Sequence, residues 1–202
     1  MDKVVFRTVV NTLIAILALF GVMMLLLCFV YPSTMMQLTY DLGMEESSMK
    51  YAERAYNHTE DVYYAAFGFE TAIGESDCAN VEKFGGLMLA NEENFTTYCA
   101  ERDQSIDTTQ ITYKQYVYGQ VSVAQYKQDK KATAVDTAFD GLNGTFTQNN
   151  AVVALLLQTL SEGDVDTLAQ LREKMEDLQG TLSDVAEEEY LNRALSLCAQ
   201  NG

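Results

Sequence analysis

The chain has 202 residues, with 29 acidic against 13 basic residues and a formal net charge of -16. Nucleic-acid binding is not expected, because phosphate backbones repel so acidic a surface and proteins that bind them carry clustered Lys and Arg. The chain has one histidine, His58, no CxxC or HExxH motif and no Gly-rich phosphate loop. The sequence therefore predicts neither a bound metal nor a cofactor.

The first predicted element is a membrane anchor. No charged residue occurs between Val9 and Val30, and at about 1.5 Å per residue such a helix is roughly 30 Å long, the thickness of a hydrocarbon core. The apolar part of a cleavable signal peptide is shorter, about 7–15 residues, and ends in small residues. Leu27 before Cys28 does not fit a lipoprotein signal. The sequence therefore predicts an uncleaved transmembrane helix over residues 9–31.

The charges on either side of this anchor indicate its orientation. Lys3 and Arg7 precede it, whereas acidic residues follow it from Asp41 onward. An excess of Lys and Arg marks the cytoplasmic side of a membrane helix. We therefore expect residues 1–8 to lie in the cytoplasm and the acidic remainder of the chain to lie outside it.

After the anchor, the sequence predicts a juxtamembrane linker, 32–43, and one all-α domain, 44–202. Period-two alternation of apolar residues is nearly absent, so no sheet is expected. Three apolar stripes recur at helical spacing: Val62, Ala65, Ala66, Phe69 and Ile73; Val135, Ala138, Phe139 and Leu142; Val165, Leu168, Leu171, Met175 and Leu178. Acidic turns at 59–61, 75–77 and 162–164 supply Asp residues that can cap the next helix. We expect about eight helices.

Two segments of the predicted domain share one spacing pattern, seventy residues apart: Tyr56, Ala65, Phe69 and Ala72, and Tyr126, Val135, Phe139 and Leu142. This pattern resembles the tetratricopeptide repeat, a 34-residue helix pair with an aromatic residue in its first helix and A-x3-F-x2-A in its second. The chain departs from the family at Met49, where Trp is usual, and at Asp77, where Pro is usual, and residues 80–113 match poorly. The resemblance implies a solenoid of helical hairpins, and the alternative is an irregular helical bundle.

The resemblance also implies a binding surface. In the tetratricopeptide family, partner peptides lie against the first helix of each pair. In the unit that contains Tyr56, the corresponding positions are Ser47, Lys50, Arg54 and Asn57. Lys50 and Arg54 share a helix face, and Arg can bind a carboxylate through two parallel hydrogen bonds, so we expect them to bind an acidic segment or a chain terminus of a protein partner. Alternatively, Glu46 and Glu53 neutralise them as ordinary exposed helix pairs.

Three cysteines follow the anchor. Cys78 and Cys99 could form a disulfide across a helical hairpin, whereas the alternative is that these two and Cys198 are small buried apolar residues. Three N-x-T triplets, the first at Asn57, are glycosylation acceptors only in a eukaryote.

Together these patterns predict a single-pass membrane protein whose extracytoplasmic helical domain acts as an adaptor or scaffold for a protein partner. Membrane-anchored tetratricopeptide proteins that attend secretion channels or envelope assembly provide a fold-level analogy. Two other classes stay open, the extracellular arm of a sensor or regulator and a small membrane-bound enzyme. No nucleophile is marked near His58, and acidic residues are too abundant for any carboxylate pair to be informative. We therefore expect no catalytic residues.

Overall fold

The computed structural model describes residues 3–104 and 111–201, and within them the chain forms helices and no strand. The helices are α1 (Lys3–Val30), α2 (Pro32–Asp41), α3 (Glu45–Thr59), α4 (Val62–Gly74), α5 (Cys78–Ala90), α6 (Glu92–Asp103), α7 (Tyr113–Lys127), α8 (Lys131–Asp140), α9 (Ala151–Glu162), α10 (Val165–Glu176) and α11 (Val185–Asn201). The prediction of an all-α chain is confirmed. The predicted segments 1–8 and 44–202 both include residues outside the described ranges.

The described part of the predicted domain 44–202 contains nine helices, α3–α11, close to the expected number of about eight, and α2 precedes them. Helices α2 and α6 are among those that lie outside the three predicted apolar stripes. Helix α2 occupies most of the segment predicted as a linker, and α6 has only two buried side chains, Phe95 and Cys99. Such short helices are hard to recognise from periodicity, because their formation depends on packing against neighbouring helices.

The chain divides into two compact units, residues 1–67 and 68–202, and the division falls within α4. In the first unit, α1 contains a 26-residue candidate membrane span, Val5–Val30, which includes Arg7 near its start. Its most apolar 18 residues have a mean hydropathy of 3.1, and none of them is buried. Helix α1 is therefore long and apolar enough to cross a membrane. Whether it does so, and in which direction, stays a prediction.

Helices α2 and α3 of the first unit form a packed pair. Pro32 is at the first turn of α2, where its missing N–H costs no helical hydrogen bond. The buried face of α2 includes Met35 and Met36, and that of α3 includes Met49 and Ala52. These residues are spaced so that each helix has one apolar face.

In the second unit, α7 lies at the centre and packs along α5, α8 and α9. Helix α10 packs on α8, α9 and α11. The largest fully buried side chains of this unit include Phe69, Phe84, Met88, Phe95, Phe146, Leu155, Leu156 and Met175. The unit therefore has a substantial apolar core of its own.

The predicted caps and stripes are largely confirmed. Asp61, Asp77 and Asp164 each accept a hydrogen bond from a backbone N–H in the first turn of the next helix, at 2.9, 3.1 and 3.2 Å. Ala65 and Phe69 are completely buried, as expected from their stripe. The stripe of α10 begins later than predicted, because Val165 is 54% exposed whereas Leu168, Leu171 and Met175 are buried.

Candidate functional site

The residues predicted to bind a partner all lie on α3. Ser47 is partly buried, and Lys50, Arg54 and Asn57 are exposed. Their spacing of three and four residues places them on one side of the helix. Three of these four positions are therefore accessible to solvent on one side of α3. That this face binds a partner protein stays a prediction.

The ammonium group of Lys50 is engaged within its own helix. Its Nζ lies 2.6 Å from Oε1 of Glu46 one turn earlier, and the two side chains are 65% and 79% exposed. An exposed pair of this kind contributes about 0.3–0.5 kcal/mol. For Lys50, the structure thus agrees with the alternative that Glu46 neutralises it.

Arg54 instead contacts aromatic rings. Its guanidinium carbon lies 5.4 Å from the ring centre of Tyr51 and 5.9 Å from that of Phe29 in the last turn of α1. Tyr51 reaches the same turn, where its hydroxyl oxygen is 3.1 Å from Sγ of Cys28. This hydrogen bond and burial raise the pKa of Tyr51. Two residues of α3 therefore contact the end of α1, which nothing in the local sequence pattern indicated.

A groove lies between α5, α7 and α8 in the second unit. Its volume is about 460 Å³, which is in the range of small-molecule sites. The residues that line it include Ala79, Glu82, Lys83, Gly86 and Leu89 of α5, Val121 and Gln125 of α7, and Thr137 of α8. The groove thus combines small and apolar side chains with polar groups.

Gln125 gives this groove its most specific chemical feature. The side chain is only 7% exposed, and its Oε1 atom accepts no hydrogen bond from the described residues. A buried amide oxygen without a donor costs about 1–3 kcal/mol. At the groove wall, the carboxylate of Glu82 is already engaged, because it accepts hydrogen bonds from Gln128 at 2.9 Å and from Lys130. Gln125 therefore brings to the groove wall an amide whose oxygen is unsatisfied and covered, and a donor in the groove reaches this oxygen only when the side chain turns outward.

Asp164 belongs to a polar cluster of the second unit that links three helices. Its carboxylate lies 2.8 Å from Nζ of Lys131 and 3.2 Å from the hydroxyl of Tyr126, and it accepts two hydrogen bonds from Thr167. The Lys131 ammonium, followed by the bonds from Thr167 and Tyr126, holds the pKa of Asp164 well below its usual range. The cluster ties α7 and α8 to the start of α10.

Cys78 and Cys99 have free thiols in this structure. Cys99 is buried, and burial, together with the nearby Asp103 carboxylate, raises its pKa to about 12. Its thiolate form is therefore scarce near neutral pH, as suits a small packing residue. Cys198 is also buried, whereas Cys78 is half-buried. The Cys78–Cys99 disulfide stays a prediction.

Among the described residues, no three His, Cys, Asp or Glu side chains are grouped as a metal site would require. His58 is exposed at the end of α3. Comparisons with protein-family models, curated proteins and solved structures found no match to the chain. The tetratricopeptide resemblance therefore depends on the residue spacing alone and stays a prediction.

Proposed function

We propose that this protein is a membrane-anchored adaptor. Helix α1 anchors it, the acidic helical part lies outside the cytoplasm, and the groove between α5, α7 and α8 binds a segment of a partner protein. The groove itself, with the amide of Gln125 in its wall, is the observation that carries the proposal. If the side chain of Gln125 turns toward a bound segment, a donor of that segment satisfies an acceptor that the described protein residues leave unsatisfied.

The anchor is supported by the composition and exposure of α1. A soluble protein avoids large contiguous exposed apolar surfaces, and the candidate span Val5–Val30 has no buried residue in its most apolar window. Lipid would cover this surface. The basic residues before the helix and the acidic residues after it support an N-terminus in the cytoplasm.

The shape and chemistry of the groove favour a peptide over a small charged substrate. Gly86 presents no side chain, and a Cβ atom built on it meets nothing within 4 Å, so a partner can approach the backbone of α5 closely. Val121 and Leu89 provide apolar surface beside it. A short apolar segment with an amide or hydroxyl donor, such as Asn, Gln or Ser, fits this combination.

The arrangement of helices supports a tetratricopeptide-like use of this surface. Helix α7 packs along both α5 and α9, and α8 packs on α10. Alternate helices are thus neighbours, as they are in stacked helical hairpins. Under the proposed repeat, α5 and α7 are the first helices of successive pairs, which are the helices that bind peptides in that family.

The groove is tested by filling it. Gly86→Leu adds a side chain in open space, and its matched control Gly74→Leu adds the same side chain at another position where a Cβ meets nothing within 4 Å. Both variants and the wild type are purified with their crosslinked partners from native membranes, and the partners are quantified by mass spectrometry. We expect one specific partner to be lost with Gly86→Leu and kept with Gly74→Leu. Equal recovery with both variants contradicts the groove as the binding site.

The anchor is tested separately with the wild-type chain. We expect it to stay in the membrane fraction after alkaline carbonate washing. Protease added outside the membrane should digest the helical part only, because it cannot reach residues 1–8. A carbonate-soluble chain contradicts the anchor, and protection of the helical part contradicts the proposed orientation.

A further inference from the structure

The contact between α3 and the end of α1 places a cation beside the proposed membrane anchor. Arg54 lies over Phe29, the second-last residue of α1, and Tyr51 contacts Cys28 one residue earlier. Phe29 is 67% exposed, so its ring is available to lipid as well as to the guanidinium group. Helix α3 therefore returns to the level at which α1 ends.

The length of α1 identifies this level. The candidate span Val5–Val30 has 26 residues, with Arg7 near its first end, and a rise of about 1.5 Å per residue gives a helix about 39 Å long. The hydrocarbon core of a bilayer is about 30 Å thick, and the headgroup layers bring the total to about 40–45 Å. If α1 spans the membrane, its last turn therefore emerges among the headgroups rather than in the hydrocarbon.

A guanidinium group at this depth has one abundant class of partner, the lipid phosphate. Arg presents parallel N–H donors that match two phosphate oxygens, and stacking on aromatic rings leaves those edge donors available. Lys50, one turn away, is less suited because it is paired with Glu46 at 2.6 Å.

We propose that Arg54, held by Tyr51 and Phe29, binds the phosphate of a phospholipid headgroup and so holds α3 at the membrane surface. This inference depends on the proposed function only in that α1 must span the membrane. The contact is local, because the acidic charge of the chain repels anionic membranes as a whole. The zwitterionic lipid phosphatidylethanolamine is accordingly the suitable probe.

The depth of α3 is measured with tryptophan. The chain contains no Trp, so Phe29→Trp and Tyr51→Trp each introduce a single reporter into the full chain. Both are reconstituted in vesicles that contain lipids brominated near the headgroup or deep in the acyl chain. We expect quenching of both reporters, with Trp emission at position 51 quenched more by the shallow label.

These two reporters separate the failure of the anchor from the failure of the inference. Absence of quenching at both positions means that α1 does not insert, which overturns the proposed function. Quenching at position 29 without quenching at position 51 means that α1 inserts while α3 stays in water. That result overturns the headgroup contact alone.

The phosphate contact is measured by lipid retention. The full chain is mixed with phosphatidylethanolamine in detergent micelles. Native mass spectrometry then removes the detergent and counts the lipid molecules that stay bound. Because the hydrogen bonds from the guanidinium group to the phosphate are lost, Arg54→Gln should weaken retention several-fold. Arg54→Lys should keep part of it. The control Arg172→Gln removes an exposed Arg that is paired with Glu176 in the second unit, and it should leave retention unchanged.

Two outcomes overturn the phosphate contact. In the first, the Arg54→Gln variant retains as much phosphatidylethanolamine as the wild type does, or its retention of a phosphate-free glycolipid falls as much as its retention of phosphatidylethanolamine. In the second, Arg54→Gln leaves lipid retention unchanged and lowers recovery of the crosslinked partner. That second result would assign Arg54 to an acidic protein segment instead.

Discussion

Helix α1 of the first unit and the helices of the second unit differ in how far their large apolar side chains are exposed. In the first unit, such residues are exposed along the whole of α1, from Val5 to Val30. Among the described residues of the second unit, those exposed are Leu157, Val165, Val185 and Leu197. The difference follows from the pattern rather than the amount of apolar sequence. A continuous run makes a helix that is apolar all round, whereas a 3.6-residue stripe makes one face that other helices cover.

The largest expected effect comes from removing a phenyl ring in each environment. Phe69 is completely buried in the second unit and makes an edge-to-face contact with Tyr116 at 6.2 Å, whereas Phe20 of α1 is 53% exposed. Phe69→Ala should lower the free energy of unfolding by about 3–5 kcal/mol, because it removes apolar burial and leaves a cavity.

Phe20→Ala is the control, and it should change the same free energy by less than about 0.5 kcal/mol. Both values are measured by chemical denaturation of the full chain in detergent. A loss below roughly 1 kcal/mol for Phe69→Ala would show that its ring is not part of a packed core.

The second unit also contains buried charge, and Asp164 provides the next test. Its side chain is 12% exposed and is hydrogen-bonded to Lys131, Tyr126 and Thr167. Asp164→Asn should cost about 1.5–3 kcal/mol at neutral pH, because hydrogen bonds to a charged acceptor are lost.

The pH dependence has a defined sign. The folded pKa of Asp164 is depressed, so its stabilising contribution is complete above the unfolded value of about 4 and declines as the pH falls toward the lower folded value. The difference in unfolding free energy between wild type and Asp164→Asn should therefore shrink between about pH 4 and pH 2. A constant difference across this range would mean that the charge of Asp164 does not contribute.

The parts of the fold that are set by local pattern could be predicted from the sequence. The apolar run of α1 needs no partner to be recognised, and the burial of Ala65 and Phe69 follows from a single stripe. The caps at Asp77 and Asp164 likewise depend on residues three positions apart. Local geometry is sufficient in each of these cases.

The candidate sites could not be predicted in the same way, because their contacts are distant in sequence. Arg54 meets Phe29 across a helix and a turn, and the hydrogen bond from Gln128 to Glu82 joins α7 to α5. The unpaired oxygen of Gln125 can be recognised only when the packing around it is known. The spacing of the four residues predicted on α3 gave no indication of the aromatic rings under Arg54.

Two adjacent glycines repeat the contrast between core and surface within the second unit. A Cβ atom on Gly85 would lie 2.2 Å from Cγ2 of Val121, a β-branched side chain that cannot easily move, whereas one on Gly86 meets nothing within 4 Å. Gly85→Ala should therefore destabilise the protein by about 1–3 kcal/mol through overpacking.

Gly86→Ala should stabilise it by about 0.5–1 kcal/mol, because Ala has the higher helix propensity. Thermal melting of the two variants checks the opposite signs. Destabilisation by Gly86→Ala would show that the groove is closed in solution, and with it the proposed partner site would lose its basis.

The smallest expected effect compares one buried serine from each unit. Ser48 in α3 and Ser122 in α7 are both completely buried. The hydroxyl of Ser122 donates a hydrogen bond of 2.9 Å to the carbonyl of Gly119, while that of Ser48 has no hydrogen-bond partner among the described residues.

Ser48→Ala and Ser122→Ala gain the same helix propensity, so this contribution cancels when the two variants are compared. What remains is the hydrogen bond that only Ser122 loses, and Ser48→Ala should therefore be more stable than Ser122→Ala by about 1 kcal/mol, each measured relative to wild type by chemical denaturation. Equal effects would mean that the hydroxyl of Ser48 finds a partner in solution, for which water is the simplest choice, and that the α2–α3 pair is less tightly packed than the core of the second unit.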